Sequence, residues 1–312
     1  MNKVVSIGEC LIDLIPFAAG DVRYTAKAGG APANVCACVA KLGGESRYLG
    51  KLAKDGFSDL ITARLKEAGV GLDYAVYDGR YSTAMALVTL SEDGDRSFSF
   101  YRTKTADLMY EAREVPQGLF EKGDVLHFCS AGLVKSPLGK AHKRAISLAR
   151  KAGAYISFDV NVRLALYPSE SVCRRTITDF LPYADILKVT DEELAFITGE
   201  KDEKKAVGLI LRKARRAAVV FVTKGAEGSA AYDRELNVVS VPAPDVKVVD
   251  TTGAGDCFIG SVLFNVCRYG LPRRAEAFGN YLAFASAACG IVCASQGAIE
   301  SMPAYSQVTE AL

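Results

Sequence analysis

Neither sign of charge predominates in this chain. Its 312 residues hold 38 Lys plus Arg against 36 Asp plus Glu, a formal balance of +2, and there is no basic block to track a phosphate backbone. Nucleic-acid binding is therefore not expected. Nine cysteines occur without a Cys-x-x-Cys pair, which removes both a zinc-site spacing and an even disulfide set. Reduced thiols in a cytoplasm follow, with Cys36, Cys38, Cys289 and Cys293 serving as packing atoms in small-residue helical stretches. A secretory apolar core is missing too, because Met1-Asn2-Lys3 reaches an acid at Glu9 after only a few apolar residues. Residues 277 to 299 carry no charge, yet Asn280, Ser286, Ser295 and Gln296 interrupt them. The strongly apolar part, 281 to 294, falls short of the roughly 20 residues that cross a bilayer, so it reads as a buried helix and no membrane partner is expected.

What is present is globular: 50% hydrophobic and 24% charged residues, at a length that allows one large α/β domain or two ordinary ones. A short apolar strand at Val4 to Ile7 precedes a second run from Leu11 to Phe17. Gly29-Gly30-Ala31-Pro32-Ala33-Asn34 then opens a helix that stops at Gly43-Gly44. A second helix is expected from Ser58, as its cap, to Ala68. Residues 73 to 102 are β-rich, with Thr83 to Leu90 and Ser97 to Tyr101 joined by Glu92-Asp93-Gly94-Asp95, a hairpin signal. From Val125 onward strands and helices alternate, which means a mostly parallel central sheet with helices on both faces. Another β-rich pair, Ser229 to Tyr232 and Val238 to Val241, leads to two long helices expected near Ala254 and Arg273. His127 reads as a core residue and His142 as a helix-surface one.

In such a sheet ligands sit beyond the carboxyl ends of the strands. Polar residues recur there: Ser130, then Asp159 to Arg163, Thr190 to Glu193, and Thr223-Lys224-Gly225, which suggests one continuous cleft. The most informative segment is Asp250-Thr251-Thr252-Gly253-Ala254-Gly255-Asp256, leading directly into an apolar helix. Its glycines let backbone N–H groups converge at a helix N-terminus, a pocket suited to phosphate or a developing oxyanion. A carboxylate beside a bound phosphate needs a task, and taking a proton from an attacking hydroxyl fits Asp256. No Gly-x-x-x-x-Gly-Lys-Ser/Thr occurs, so any phosphate is held by helix ends and the glycine turn. No Gly-x-Gly-x-x-Gly follows the first strand, which argues against a dinucleotide oxidoreductase.

Two separated signatures, Ala28 to Asn34 with Gly43 downstream and Asp250 to Asp256, resemble those of the ribokinase-like, or PfkB, carbohydrate kinases, and the resemblance runs essentially end to end. It implies a ribokinase-like α/β fold over residues 1–312, with a small antiparallel β lid from about 11–28 and 73–105. Several segments are similar to bacterial fructokinases: Gly8-Glu9-Cys10-Leu11-Ile12-Asp13, Leu187 to Glu193, and Phe158 to Pro168, where Tyr167 stands in place of the usual Trp.

By that likeness Asp256 is the base and Gly253, Ala254 and Gly255 the anion hole. Asp13, Gly29, Gly30 and Asn34 hold the sugar, Asn161 and Arg163 lie near the transfer path, and Phe98, Phe100 and Arg102 cover it from the lid. Lys188, Thr190, Glu193, Thr223, Gly225, Gly228 and Ser286 belong to the ATP side. Glu193 orders magnesium-bound water, while Asp250 and Thr252 border a potassium site. The reaction implied is transfer of the γ-phosphoryl group of ATP to a primary hydroxyl of a ketohexose, most simply fructose. The rivals are a 2-keto-3-deoxygluconate kinase or another PfkB sugar or nucleoside kinase, and a non-catalytic sugar-binding regulator. Apolar residues such as Met85, Leu87, Val88 and Leu90 on both faces of the insert call for cover, and a lid-to-lid homodimer supplies it.

Overall fold

The computed structural model describes residues 1–90 and 96–312; the hairpin signal at Glu92 to Asp95 lies outside the described residues. The first third holds β1 (Lys3–Ile7), β2 (Leu11–Pro16), β3 (Tyr24–Gly29), α1 (Ala31–Lys41), β4 (Glu45–Leu52), α2 (Gly56–Glu67), β5 (Ala75–Tyr77), β6 (Ala84–Leu90) and β7 (Arg96–Tyr101). The alternating part follows as β8 (Val125–Cys129), α3 (Pro137–Ala152), β9 (Tyr155–Asp159), α4 (Glu170–Phe180), β10 (Ile186–Thr190), α5 (Asp191–Thr198), α6 (Glu203–Lys213) and β11 (Val219–Thr223). The chain ends with β12 (Ser229–Tyr232), β13 (Val238–Val241), α7 (Ala254–Tyr269), α8 (Gly279–Cys293) and α9 (Tyr305–Glu310).

Nine strands form the central sheet in the order β13-β12-β11-β10-β9-β8-β1-β4-β5. It is parallel from β11 to β5, and β12 and β13 extend it antiparallel. The strands are apolar on both faces because both faces are covered. Val4, Val125, Ile186 and Val219 point into a cluster with α1, α7 and α8, including Val35, Ile259 and Leu282. Their neighbours Val5, Leu126, Leu187 and Val220 point the other way, onto Ala145, Ile177 and Ile210 of α3, α4 and α6. From β1 the chain proceeds outward through β4 and β5 on one side, and it returns through β8 on the other. The β1–β8 boundary is thus where the strand order reverses, the usual place for a ligand crevice.

A second sheet of four strands, β3-β2-β6-β7, leans over that crevice. Its outer pairs are antiparallel and its middle pair, β2 with β6, is parallel, since the two strands come from separate excursions of the chain. β5, inside the stretch expected for the lid, pairs parallel with β4 and so belongs to the central sheet.

Three other expectations are corrected. Helix α2 is capped by Asp55, whose carboxylate accepts from the Ser58 N–H at 2.8 Å and from Thr83 Oγ1 at 2.6 Å; Ser58 is inside the first turn. The last long helix begins at Gly279 after a 3₁₀ turn over Ala275–Phe278, not at Arg273. His142 is fully buried, because it falls on the same α3 stripe as Leu138, Ala145 and Ala149; it packs edge-on to Phe128, and burial lowers its pKa to about 4. His127 is a core residue as expected, with Nδ1 at 3.0 Å from Ser157 Oγ. Ala275–Cys293 is long and apolar enough by composition to cross a membrane, but half of it is buried within the fold, the character of a core helix.

Candidate active site

The two signatures meet although 222 residues separate them. Asn34 projects from the first turn of α1, and its Nδ2 donates to Asp256 Oδ2 at 2.8 Å. Asn34 Oδ1 is buried with no hydrogen-bond partner among the described residues, which leaves an acceptor for a ligand hydroxyl. Gly29 and Gly30 bring β3 this close. A side chain at Gly29 would collide with the Asp13 carboxylate, and at Gly30, with φ of 106°, a Cβ would lie 2.7 Å from the Glu9 carbonyl. Asp13 of β2 therefore faces the same cavity as Asn34 and Asp256.

That cavity, about 420 Å³, lies between the lid sheet and the carboxyl ends of the central strands. At its floor Gly253 adopts φ 80° against Ala298 and opens α7. The Ala254 N–H closes the turn onto Thr251 O at 3.1 Å, so Ala254 does not serve as an anion-hole donor as expected. The Gly255 and Asp256 amides precede the first helical bond, from Cys257 N–H to Gly253 O, and sit at the positive end of the helix dipole.

Lys188 on β10 stands directly behind this turn. It is buried, its Nζ is 3.1 Å from Asp159 Oδ2, and a Cβ on Gly255 would come within 3.0 Å of the ammonium. It is thus a fixed cation under the anion hole. Burial pushes the Asp256 carboxyl up to about 6, against the pull of Asn34, Lys188 and Arg163. Asp13 is pushed to about 7, by burial first and by the Asp256 charge second.

Glu193 is anchored at both oxygens. Oε1 accepts from the Val162 N–H at 2.6 Å, and Oε2 accepts from the Thr190 N–H at 2.9 Å, in a capping box with the Thr190 hydroxyl. Asp250 braces the turn by accepting from the Thr252 N–H at 2.8 Å and the Gly297 N–H at 3.2 Å. Asn161 holds a left-handed φ of 40°, its carbonyl accepting from Ser130 Oγ, and Arg163 two residues on also lines the cavity.

Phe98 and Phe100 stack at 6.3 Å on the lid and line the cavity from above. Arg102 lines the same cavity from its side wall rather than from above. It is buried in the wall, with Nε on Asp107 Oδ2 at 2.6 Å and Nη1 on Ala131 O at 2.8 Å.

Seven expected residues, Gly29, Asp250, Ala254, Thr223, Gly225, Gly228 and Ser286, are not among those lining the cavity. Thr223 ends β11, and Gly225 shapes the turn after it. Gly228, at φ 91°, packs against the Val241 carbonyl with no room for a side chain, and Ser286 Oγ donates to Pro242 O at 3.0 Å. Conversely, Glu9, to which the motifs give no role, lines the cavity, while Asp159, the first of the polar residues expected at the end of β9, is buried behind it against Lys188.

The pfkB family carbohydrate kinase model matches residues 1–305. Fructokinase-2 of Zea mays is 38% identical over 311 residues, covering 97% of this chain and 91% of its own. The fructokinase of Vibrio cholerae O395, solved with fructose, ADP and calcium, superposes with a TM-score of 0.91 at 29% identity, over 100% of this chain and 99% of that one. The aminoimidazole riboside kinase of Salmonella enterica, solved with aminoimidazole riboside and an ATP analogue, gives a TM-score of 0.87 at 28% identity, over 99% of both chains.

Proposed function

The chain belongs to the pfkB family of carbohydrate kinases, and from that membership we propose that it transfers the γ-phosphoryl group of ATP to a primary hydroxyl of fructose. The observation that carries the reading is the buried Asp256 carboxylate, held by Asn34 at 2.8 Å beside the N-terminal amides of α7. Asp256 accepts the proton of the attacking hydroxyl while the Gly253, Gly255 and Asp256 amides and Lys188 stabilise charge on the transferring group. Asp13, Gly29, Gly30 and Asn34 orient the sugar, Arg163 and Asn161 flank the transfer path, and Phe98 and Phe100 close over it to exclude water.

The donor set also fits a divalent ion held through water. Glu193 is fixed by two backbone amides, and each carboxylate oxygen retains a further lone pair. Magnesium there would supply neutralisation of the ATP phosphates. Thr190 positions that carboxylate, and Thr223, Gly225, Gly228 and Ser286 are assigned to the nucleotide side. Asp250 and Thr252 would border a potassium ion in this reading.

Fructose is favoured over 2-keto-3-deoxygluconate by charge. The cavity is lined by the carboxylates of Glu9, Asp13, Glu193 and Asp256, and of its cations Arg102 is ion-paired with Asp107 and Lys188 with Asp159, leaving Arg163 as the one without an ion pair among the described residues. A non-catalytic binder has no use for a buried carboxylate raised toward neutrality. Coupled ADP release across ketohexoses, sugar acids and nucleosides tests the reading. Fructose is expected to exceed the sugar acid by about 10²-fold or more in kcat/KM, and the reverse order overturns it.

The reading further comprises one α/β domain in a cytoplasm, consistent with nine free cysteines. Its lid is β2, β3, β6 and β7. On the lid face turned away from Asp13, Leu14 and Met85 pack against the core around Ile61 and Leu65, Leu87 is half-buried and Tyr101 is 57% exposed, and cover of this outer part by a second copy's lid is proposed. Val88 is excluded from that face because it points inward opposite Phe98. Light scattering is expected to give twice the 33.3 kDa chain mass; a monomer at working concentration refutes the dimer.

A further inference from the structure

Glu9 follows β1 at the crevice, only 4% exposed, yet its carboxylate has poor partners. The Cys129 thiol donates to Oε1 at 3.5 Å, a weak bond, and Arg102 Nη2 stands off Oε2 at 3.8 Å, beyond hydrogen-bond reach. Arg102 is in the complementary state. Its Nε and Nη1 are spent on Asp107 and Ala131 O, while Nη2 is buried with no hydrogen-bond partner among the described residues. Asp107 is itself fixed by Thr105 Oγ1 at 2.6 Å, and Gly30 packs against the Glu9 backbone, so neither side chain's root can swing away. Both residues line the cavity that holds Asp13, Asn34 and Asp256. An acceptor with spare capacity beside an unspent donor is incomplete until a third group arrives.

We propose that Glu9 and Arg102 form a subsite that reads one hydroxyl of the acceptor sugar: the hydroxyl donates to the Glu9 carboxylate, and its oxygen accepts from Arg102 Nη2. A hydroxyl is the small neutral group that is donor and acceptor at once. A carboxylate there meets the Glu9 charge, an ammonium meets Arg102, and a hydrogen in place of the hydroxyl strands both. The pair thereby adds selection for a neutral polyol at a point away from the transferring phosphate. The inference rests on the sugar-kinase reading above.

The test is a series of mono-deoxy analogues of the best acceptor, assayed by ADP release with wild type, Glu9→Ala and Glu9→Gln. In wild type, one analogue is expected to lose about 10²-fold or more in kcat/KM. Glu9→Ala brings the full sugar down to that level and loses little more on the same analogue, with Glu9→Gln between the two. ATP affinity of each variant, unchanged, reports that it is folded. Equal losses on every analogue in wild type and variant overturn the subsite while leaving the kinase reading intact. So does a wild-type series with no sensitive position, which needs no variant to fold. A wild type that phosphorylates no sugar overturns both.

Discussion

Asp256→Asn lowers kcat with fructose by about 10²–10⁴-fold while ATP affinity stays near that of wild type, the range expected for loss of a positioned base. The substitution is close to isosteric, and a carboxamide oxygen still accepts from Asn34 Nδ2 where Asp256 Oδ2 now accepts at 2.8 Å. The α7 amides and Lys188 are untouched, so what is removed is basicity. The pH dependence carries the same signature. Burial raises Asp256 to about 6 and Asp13 to about 7, and the base acts when deprotonated, so wild-type kcat/KM falls as pH drops through 7 to 6 and levels above. Stability moves oppositely: with folded-state pKa values raised, the native chain binds more protons than the unfolded one between about pH 4 and 7, and these groups stabilise it as pH falls through that window. Steady-state rates with titrated ATP binding check the first claim, and wild-type turnover in the variant refutes it.

Lys188→Met has two separable effects. The ammonium 3.1 Å from Asp159 Oδ2 neutralises a buried carboxylate, and removing one partner of such a pair costs about 3–5 kcal/mol through the charge left behind. It is also the cation beneath Gly255, and losing it weakens stabilisation of the transferring group by about 10²–10³-fold in kcat, comparable to loss of one oxyanion donor. Adding Asp159→Asn removes the stranded charge. The double variant is expected to recover most of the melting temperature and little of the turnover. Recovery of both refutes a catalytic part for Lys188, since a purely structural pair would be repaired.

The sequence made the sheet legible because residues such as Val4-Val5 and Val219-Val220 are apolar on consecutive positions, which only a strand covered on both faces requires. The glycine turn before α7 was equally plain, and so was the pair of motifs. Their mutual geometry was not: nothing local in Asn34 specifies a partner 222 residues away. The misread details share one cause, that a residue's neighbours in space outvote its neighbours in the chain. Asp55 outcompetes Ser58 as a cap because it also ties down Thr83, and His142 is buried because its stripe on α3 faces the sheet despite a polar ring. Ala254 looks like an anion-hole amide until the turn consumes its N–H, and Arg102 looks like a lid cation until Asp107 draws it into the wall. Glu9 carries no legible role in the sequence because a single acid after a strand makes no pattern; its meaning comes from Arg102 and from the backbone of Gly30.

The most direct test of the account is phosphorus-31 NMR of the wild-type protein with fructose and magnesium ATP. It predicts that the γ-phosphate signal is lost one for one with the growth of a single phosphomonoester coupled to a methylene, and that Asp256→Asn abolishes both changes on the same timescale. Release of inorganic phosphate alone, or phosphoryl transfer to a sugar acid or nucleoside in preference to fructose, would contradict it.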